Sequence, residues 1–499
     1  MATLQLQRQN YRAIRLAGAA GGASGSGSLG HRVLLHVPTT SLFELDPAAD
    51  AVLDLLEEKD TVTRADVQAR FDGAYSPGEV VDSLHDLMAL GIVAGTRKDY
   101  AIASRPIERT PLNTLVLTLT TGCNLGCSYC YREDLTTPRA ASRIERDTAM
   151  RGIDLLLREA VDHPRVNVVF FGGEPLTRFA TLRELVDYAE RQAAAVGKGV
   201  DFSLTTNATL LTDEILAFFA QHRFGISVSM DGDELSHDRY RLTIGGKGTY
   251  KQVAQNVKRL LAAGIGRPVG ARVTLASGNT DEVRLYRHLH DTLGFAEVGF
   301  APVTASKDSP VGLDAAEMRA VLDAMKTLGR EYTAAAKRGV RHGFSNMNQM
   351  MQDLWSGTRK TLPCGAGVGL LAVGTAGGLS LCHRFTGSDF GAFGDVEKGI
   401  DRAALSQFLQ QAQDLHPACQ TCRARSLCAG GCYHEAYVRN GDPLSPTFAH
   451  CDFVREWLDF GIGCFGEIVL ANPGFFTARG AGAPAESSVL SGAVADAHH

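Results

Sequence analysis

The chain has 499 residues, of which 44% are hydrophobic and 21% are charged, and this composition predicts a globular protein of roughly two to four domains. Its net charge of −5 disfavours nucleic acid as the main partner, and the lack of a long apolar run predicts that no segment spans a membrane. Polar residues interrupt the N-terminus where a secretory signal needs an apolar core, so we expect a cytoplasmic protein. In that reducing compartment, eleven cysteines are more typical of metal ligands than of disulfides.

The N-terminal part of the chain is predicted to contain a flexible segment, residues 1–30, and then a small domain, residues 31–108. Glycine, alanine and serine dominate the end of the first segment, and such a composition buries too little apolar surface to become ordered. The small domain is predicted to be winged-helix-like, with a strand near Val33 and a strong helix that Ser76 can cap. Its predicted helices span 48–56, 64–71 and 77–90.

This small domain has two interpretations. Winged helices often bind DNA, but no helix of this segment has a basic face. The alternative is similar to the peptide-recognition domain of peptide-modifying enzymes, in which an extended peptide adds a strand to the edge of a sheet. We favour peptide recognition because the segment that follows has the pattern of an enzyme.

Residues 109–310 alternate between strand-like and helix-like segments. This alternation predicts βαβ units with a parallel sheet, and six such units predict an α/β fold, a partial (β/α)6 barrel. The functional residues of such folds lie at the C-terminal ends of the strands. The predicted strands are 112–120, 166–171, 201–206, 225–230, 269–275 and 297–303.

Three cysteines with the spacing C-x3-C-x2-C follow the first predicted strand; they are Cys123, Cys127 and Cys130. A [4Fe-4S] cluster normally takes four thiolates, so three would leave one iron open to a ligand from outside the protein. The alternatives are a zinc site or unrelated thiols, although zinc needs a fourth ligand and the next cysteine is Cys364.

The motif C-x3-C-x2-aromatic-C after a strand resembles the radical S-adenosylmethionine (radical SAM) enzymes. The resemblance implies that SAM chelates the open iron and is cleaved to a 5′-deoxyadenosyl radical. It also implies that the GGEP stretch, with Gly172, Gly173 and Glu174, contacts the amino group of SAM. Tyr129 is expected to pack against the adenine. An ordinary turn or simple packing would explain the same residues without a ligand.

Polar side chains at the ends of later strands extend the resemblance. It implies that Asn207 and Ser229 meet the ribose and the carboxylate of SAM. An arginine in the loop beyond can hold a carboxylate through two parallel hydrogen bonds, and Arg241 is the first candidate, with Arg239 the second. The plain alternatives are a turn for Asn207 and a solvated surface charge for either arginine.

After the barrel we expect a bridging helix, residues 311–345, then a cysteine-rich domain, residues 346–470, and a flexible tail, residues 471–499. Eight cysteines fall in the cysteine-rich domain, and seven of them lie within residues 364–451. Two zinc sites completed by histidines, or two [4Fe-4S] clusters, would both use such a set. These seven cysteines are Cys364, Cys382, Cys419, Cys422, Cys428, Cys432 and Cys451.

The spacing of these seven cysteines resembles the SPASM domain of radical SAM peptide maturases. The resemblance implies that Cys364, Cys382 and Cys432 hold one auxiliary [4Fe-4S] cluster whose fourth position is open or otherwise filled. The other four cysteines would hold a second auxiliary cluster, so three [4Fe-4S] clusters and SAM are the expected cofactors. Cys464 lies outside the pattern, and we expect a buried free thiol there.

Stretches near residues 4–16, 346–350, 361–367 and 381–387 resemble the maturases of quinohemoprotein amine dehydrogenase. This resemblance implies an enzyme that forms thioether cross-links from cysteine sulfur to methylene carbons of Asp or Glu in the small subunit of that dehydrogenase. A flavodoxin or a ferredoxin is the expected kind of electron donor. For a catalytic base, the sequence offers only Asp231 and Asp308 near predicted strand ends.

Two other functions stay open. A sulfatase-type maturase, which makes formylglycine, shares the GGEP and Ser-Met-Asp-Gly stretches but does not need the extra N-terminal domain. A zinc-binding winged-helix regulator belongs to a different class, and it leaves the GGEP stretch and the six βα units unexplained.

Overall fold

The fold is given by a computed structural model. It describes residues 5–8, 11–16, 32–59, 61–71, 73, 75–95, 112–131, 141–306, 308–414 and 416–480. These residues form an N-terminal region of two small sheets and three helices, a large sheet flanked by helices, and a C-terminal region of short helices beside one long helix.

The N-terminal region pairs the first described residues of the chain with strands far along it. The prediction that residues 1–30 are flexible is therefore wrong for the two strands that lie in this segment. Tyr11 and Leu16 are only 4% and 7% exposed, and the burial of their side chains stabilises this part of the segment. The composition of the segment as a whole is dominated by the glycine-rich residues that follow. Those glycine-rich residues lie outside the described part. In one sheet, β1 (Gln5–Arg8) lies between β5 (Thr61–Thr63) and β6 (Val93–Ala94), and in the other β3 (Arg32–His36) lies between β2 (Tyr11–Arg15) and β4 (Ser41–Glu44).

Three helices complete the N-terminal region at the predicted positions. Their local sequence explains where the third one begins. Ser76 accepts a hydrogen bond from the backbone of Glu79, whose carboxylate accepts one from the backbone of Ser76, which is a capping box. The helices are α1 (Pro47–Glu58), α2 (Arg64–Phe71) and α3 (Pro77–Ala89).

Helix α16 (Cys451–Ala471) of the C-terminal region packs against the β2–β3–β4 sheet. The guanidinium of Arg12 pairs with Asp459 at 2.9 Å. A Cβ added at Gly466 would lie 2.6 Å from a methyl carbon of Val33, so only glycine permits this approach. The β2–β3–β4 sheet therefore packs directly against the helix that begins at Cys451.

Six parallel strands follow one another across the large sheet in chain order, as the (β/α)6 prediction requires. Helices alternate with the strands and cover the outer face of the sheet, where alternate strand residues such as Leu115, Leu117 and Leu119 are fully buried. The strands are β7 (Thr114–Thr120), β8 (Arg165–Gly172), β9 (Gly199–Thr206), β10 (Phe224–Ser229), β11 (Val269–Leu275) and β12 (Glu297–Pro302). The helices are α4 (Arg146–Glu159), α5 (Phe179–Ala195), α6 (Asp213–Gln221), α7 (Glu234–His237), α8 (Tyr250–Ala262) and α9 (Glu282–Arg287).

The inner face of the sheet is accessible to solvent at the level of Arg272, and we call this space the cavity. On β11 the outward-facing Ala271 and Val273 are only 1% and 2% exposed. Arg272, which lies between them and faces inward, is exposed. Since side chains alternate along a strand, the inside of the sheet is accessible to solvent at this level.

Two strands from the cysteine-rich segment extend the sheet beyond the predicted six. β13 (Leu370–Val373) pairs in parallel with β7, and β14 (Leu379–Ser380) pairs with β13 in antiparallel fashion. The sequence did not predict them because runs of four and two residues are too short to show a strand pattern. The cysteine-rich segment is therefore joined to the barrel by main-chain hydrogen bonds.

The predicted bridging segment forms α10 (Ala315–Lys337), which packs along α16. The prediction of a flexible tail over 471–499 is wrong for residues 474–480, which form helix α17, because Phe475 and Phe476 are buried. The later tail lies outside the described residues. The other elements are α11 (Ser345–Trp355), β15 (Gly394–Asp395), β16 (Gly399–Ile400), α12 (Arg402–Gln413), α13 (Pro417–Gln420), α14 (Arg425–Cys428) and α15 (Tyr433–Asn440).

Within the described ranges, no helix has a stretch that is both long enough and apolar enough to cross a bilayer.

Candidate active site at the ends of the parallel strands

The loop after β7 brings Cys123, Cys127 and Cys130 together. Burial raises the pKa of the Cys127 thiol to about 11, although the positive charge of Arg241 lowers it, and the charges of the other two cysteines act on the same thiol. The backbone N–H of Leu125 donates to the sulfur of Cys123 over 3.4 Å. Hydrogen bonds to thiolate sulfur are typical of iron–sulfur sites.

The spacing of these sulfurs fits a cluster better than a single zinc ion. A zinc ion bound at ~2.3 Å by a tetrahedral set of sulfurs holds them within ~4 Å of one another. The three sulfurs of this loop do not all lie within 4.8 Å of one another. In a [4Fe-4S] cluster each thiolate binds a different iron, and the thiolates are farther apart. The three cysteines therefore suit such a cluster and leave its fourth iron without a thiolate.

The two glycines of the GGEP stretch lie directly against the cysteine loop. A Cβ at Gly173 would lie 2.1 Å from the carbonyl oxygen of Gly122 and 2.9 Å from the nitrogen of Cys123. Gly172 has a φ of +151°, and a Cβ there would lie 2.4 Å from the oxygen of Thr120. The glycines are thus required so that the second strand end can approach the cysteine loop, whether or not they also contact SAM.

Glu174 is buried, and both oxygens of its carboxylate accept hydrogen bonds from other residues of the protein. One oxygen accepts from the backbone of Leu176 and from the hydroxyl of Thr206, at 3.0 and 2.9 Å. The other accepts from the backbone of Asn207 at 2.7 Å. Burial raises the pKa of this carboxyl to about 7, although the three hydrogen bonds favour the charged form. The side chain ties β8 to β9, so a contact of this stretch with the SAM amino group would come from its backbone.

Asn207 joins the end of β9 to the cysteine loop. Its amide nitrogen donates to the sulfur of Cys123 at 3.8 Å and to the side-chain oxygen of Asn124 at 2.9 Å. Its amide oxygen accepts from the backbone and the hydroxyl of Thr209. Asn207 is therefore placed to orient a cysteine ligand, which is a different role from the predicted contact with ribose.

Tyr129, Asp231 and Arg241 form one buried network beside the cysteine loop. Arg241 donates through Nε to Asp231 at 2.8 Å and through Nη2 at 3.3 Å, and the hydroxyl of Tyr129 donates to the same carboxylate. The backbone N–H of Thr274 donates to Asp231 at 2.9 Å. Burial lowers the pKa of Arg241, but the charge of Asp231 outweighs it and holds that pKa above its ordinary value.

Asp231, a predicted catalytic base, is fully buried, and its carboxylate accepts from these four donors, so its role as a base stays a prediction. The second candidate, Asp308, is exposed in a turn after β12. It is not part of the network around the cysteine loop. Its role as a base likewise stays a prediction.

The other predicted SAM contacts surround the same space. The guanidinium of Arg241 lies over the ring of Tyr129 at 5.3 Å. One face of the ring that is predicted to pack against adenine is therefore covered by this cation. The guanidinium of Arg241 has further N–H donors besides those that are hydrogen-bonded to Asp231, and a SAM carboxylate could accept only from these. Ser229 is half-buried at the end of β10, level with Arg272 on β11. Arg239 lies over the ring of Tyr240 at 5.6 Å.

The structure brings Cys364, Cys382 and Cys432 into a second group. Burial raises the pKa of Cys382 to about 12, and the charges of the other two cysteines add to this effect. The hydroxyl of Tyr433 is buried beside Cys364 and Cys432, and it has no hydrogen-bond partner among the described residues. A buried polar group without a partner fits a site built for a bound group.

The third group contains Cys419, Cys422, Cys428 and Cys451. Burial raises the pKa of Cys419, and the charges of the other three cysteines raise it further. Arg455, one turn along α16 from Cys451, is hydrogen-bonded to Cys422. The division of seven cysteines into sets of three and four agrees with the predicted assignment of two auxiliary clusters.

Cys464 belongs to none of these groups. It is a free thiol, 5% exposed, on α16 where this helix packs against α10, and it is hydrogen-bonded to Thr333. Burial raises its pKa to about 11. The expectation of a buried free thiol is confirmed.

Sequence reasoning missed the side chains between the first two cysteine groups. Arg384 lies over the ring of Tyr131 at 5.4 Å and donates to the hydroxyl of Thr304 at 2.8 Å. The ring of Tyr131 meets that of His434 at 5.7 Å. All but Thr304 lie within two residues of a predicted cysteine ligand, and this proximity in sequence is the signal that could have found them.

Comparison with known proteins now adds to this geometry. Residues 117–289 match the model of the Radical SAM superfamily. The chain contains a Radical SAM domain. The matched range begins inside β7, includes the cysteine loop and GGEP, and extends past Arg241 and β11. The match shows a domain of a superfamily that uses a [4Fe-4S] cluster and SAM.

Relatives with names include two anaerobic sulfatase-maturating enzymes. The chain is 22% identical over 389 residues to a serine-type enzyme of Klebsiella aerogenes, which covers 69% of this chain and 85% of that enzyme. It is 27% identical over 152 residues to a cysteine-type enzyme of Clostridium novyi, which covers 30% of this chain and 40% of that enzyme. The solved structure of native anSMEcpe with bound AdoMet and the Cp18Cys peptide has a TM-score of 0.61 at 18% identity, and it covers 72% of this chain and 99% of that one. This likeness shows a shared fold.

Proposed function

We propose that this radical SAM enzyme modifies a peptide by forming thioether cross-links from cysteine sulfur to methylene carbons of Asp or Glu. The proposed substrate is the small subunit of quinohemoprotein amine dehydrogenase. The observation that carries the proposal is the sorting of ten cysteines into groups of three, three and four around one barrel. Each group fits a [4Fe-4S] cluster, and two of the groups leave one iron without a thiolate.

The chain's own residues would hold and orient the reactants. When bound, the cluster of the first loop and SAM supply a 5′-deoxyadenosyl radical that abstracts hydrogen from carbon, and the auxiliary clusters carry electrons. Asn207 and Glu174 fix the first loop against two neighbouring strand ends. Tyr129 and Arg241 close the side of the site and keep water from it. We assign no general base within the described residues.

Two features favour thioether formation over other peptide modifications. The group of Cys364, Cys382 and Cys432 leaves one coordination position of its cluster free, and a substrate thiolate is a suitable ligand for it. The N-terminal sheets and helices add a domain that the sulfatase-type reaction does not need. In the proposed enzyme they bind an extended part of the substrate at a sheet edge, where unpaired backbone groups accept another strand.

The second candidate is a sulfatase-type maturase that oxidises Cys or Ser to formylglycine. The observation in its favour is the match to the enzyme of Klebsiella aerogenes over 69% of this chain. A zinc-binding winged-helix regulator is no longer a candidate, since it does not account for the Radical SAM domain.

The test is to incubate the reduced enzyme with SAM and the unmodified small subunit without oxygen, then to measure peptide mass and thiol alkylation. Each thioether removes one hydrogen from carbon and one from sulfur, so the peptide becomes lighter by two hydrogens per cross-link and loses one alkylatable thiol. A flavodoxin or a ferredoxin, each with its reductase, would replace the chemical reductant.

A peptide that carries a new aldehyde instead would favour the formylglycine reaction. A peptide of unchanged mass, in the presence of active SAM cleavage, would contradict the proposed substrate.

A further inference from the structure

Two arginines face the cavity inside the sheet. Arg272 lies on the inner face of β11, and its guanidinium occupies the space above Gly299 of the neighbouring strand, where a Cβ would lie 2.6 Å from Nη1. Arg384 follows Cys382 by two residues and reaches Thr304 just beyond β12. Their two side chains come from distant parts of the chain and converge on one place.

The two guanidinium groups are close enough to repel each other. Burial lowers the pKa of Arg272, and the positive charge of Arg384 lowers it further. No carboxylate in the described part of the chain forms an ion pair with either arginine. The protein thus keeps two positive charges together at a cost in free energy, without an acidic partner of its own.

Buried arginines of this chain have acidic partners. Arg241 is paired with Asp231, and Arg32 in the N-terminal region is paired with Asp50 and with Glu57, each at 2.8 Å. Arg272, which is exposed, and Arg384, which is half-buried, have no such partner among the described residues. Arg272 is also accessible from the cavity, so an anion can reach it.

The surroundings of the pair place it between the first and second cysteine groups. Arg384 lies over Tyr131, the residue after Cys130, and its charge acts on His434, which is two residues after Cys432. The ring of His383 lies 4.2 Å from that of Phe171, the residue before the GGEP glycines, and the two rings are tilted by 43°. These contacts place the side chain of Arg384 beside residues that adjoin both cysteine groups.

We propose that Arg272 and Arg384 together bind the carboxylate of the acidic substrate residue and so fix which methylene carbon faces the first cysteine group. This inference rests on the proposed function. Guanidinium groups bind carboxylates through parallel charge-assisted hydrogen bonds, and two of them hold a carboxylate in one orientation. An Asn or Gln side chain lacks the charge and is bound less tightly at the same place.

Two other sources of negative charge would lie nearby once bound, namely the carboxylate of SAM and a cluster held by Cys382. The experiment separates them. The probes are N-acetyl-L-glutamate α-methylamide and its glutamine counterpart, and binding to the full chain, reconstituted with iron and sulfide and saturated with SAM, is followed by ligand-observed NMR. The variants are Arg272→Met and Arg384→Met, with Arg319→Met as control, because Arg319 pairs with Glu456 on the surface.

We expect the glutamate probe to bind the wild-type protein at least tenfold more tightly than the glutamine probe. Each cavity variant should lose this tenfold preference, while Arg319→Met keeps it. SAM affinity, measured by equilibrium dialysis, and iron content should stay unchanged. If a Met variant loses iron, the Arg→Lys variants are measured instead. They keep the positive charge but lack the parallel N–H donors of guanidinium, so their preference for the glutamate probe should be weaker.

Equal binding of both probes by the wild-type protein would overturn the inference. So would variants that lose SAM affinity but keep the glutamate preference, because the pair would then serve the cofactor. Variants that change only the auxiliary cluster's spectrum would assign the arginines to that cluster. Thioether formation together with equal probe binding would refute this inference alone, whereas probe preference without any thioether product would refute only the proposed reaction.

Discussion

The Nε of Arg241 lies 2.8 Å from the Oδ2 of Asp231, and the two side chains are 9% and 0% exposed. Tyr129, inside the cysteine motif, donates its hydroxyl to the same carboxylate. The ion pair therefore anchors the cysteine loop to the ends of β10 and β11. Asp231 is therefore placed to hold the cysteine loop in position.

The first prediction concerns this anchor. Asp231→Ala leaves a buried guanidinium without its partner, and we expect a loss of about 3–5 kcal/mol in the free energy of unfolding. Iron content of the first group and SAM cleavage should fall together. Asp231→Asn keeps hydrogen-bonding capacity and should lose less stability. If Asp231→Ala keeps its thermal midpoint and still cleaves SAM, yet makes no peptide product, Asp231 is a base after all.

The second prediction tests the contact between GGEP and the cysteine loop. Gly173→Ala places a Cβ within 2.1 Å of a backbone oxygen, which has no flexible end that can give way. We expect displacement of the loop and loss of the first cluster, measured as about four fewer irons per chain. Gly245→Ala is the control, because its nearest neighbour, the Thr243 hydroxyl, lies 3.9 Å away. Full iron content in Gly173→Ala would show that the loop tolerates the methyl group.

The third prediction is a pH dependence from Glu174, whose folded-state pKa of about 7 lies above the ordinary value of 4.5. A raised carboxyl pKa favours folding while the group is protonated, so this contribution is complete below about pH 4.5 and is lost as the pH rises through 7. Relative to Glu174→Gln, the wild-type protein should lose about 3 kcal/mol over this window. Parallel stability curves of the two proteins, from anaerobic unfolding at pH 5 and pH 8, would contradict the shift.

The fourth prediction assigns the third cysteine group. A double change of Cys419→Ala and Cys422→Ala should remove about four irons per chain and leave SAM cleavage by the first group intact. Cys464→Ala is the matched control and should keep all the iron, since this thiol lies between two helices. Iron loss in the control, or loss of SAM cleavage in the double variant, would show that the groups are wrongly divided.

Much of the barrel could be predicted because its strands are short, β-branched or aromatic-rich segments that alternate with longer helical ones. The cysteines of the first loop could be grouped because their spacing is local, whereas the division of the other seven follows from their resemblance to the SPASM domain. Strand β1 could not be predicted in the same way, since it pairs with β5 and β6, which come more than fifty residues later. Strand β2 pairs with β3, which lies beyond the glycine-rich residues.

Side-chain partners were the part that the sequence could not supply. Asp231 follows a strand, which is a common position for a catalytic base. Its contacts with Arg241 and Tyr129, which occupy its carboxylate oxygens, are visible only in the structure. Arg272 looks like an ordinary strand residue until the sheet curves and leaves it facing a cavity. Such pairings arise from the closure of the barrel and have no local signal.

The most direct test of the central claim, that the three cysteine groups hold three clusters, is the iron and acid-labile sulfide content of protein purified without oxygen. We predict about twelve of each per chain, at four per cluster, and a brown protein. About four of each would leave only the cluster of the Radical SAM domain. A colourless protein loaded with zinc would contradict the account.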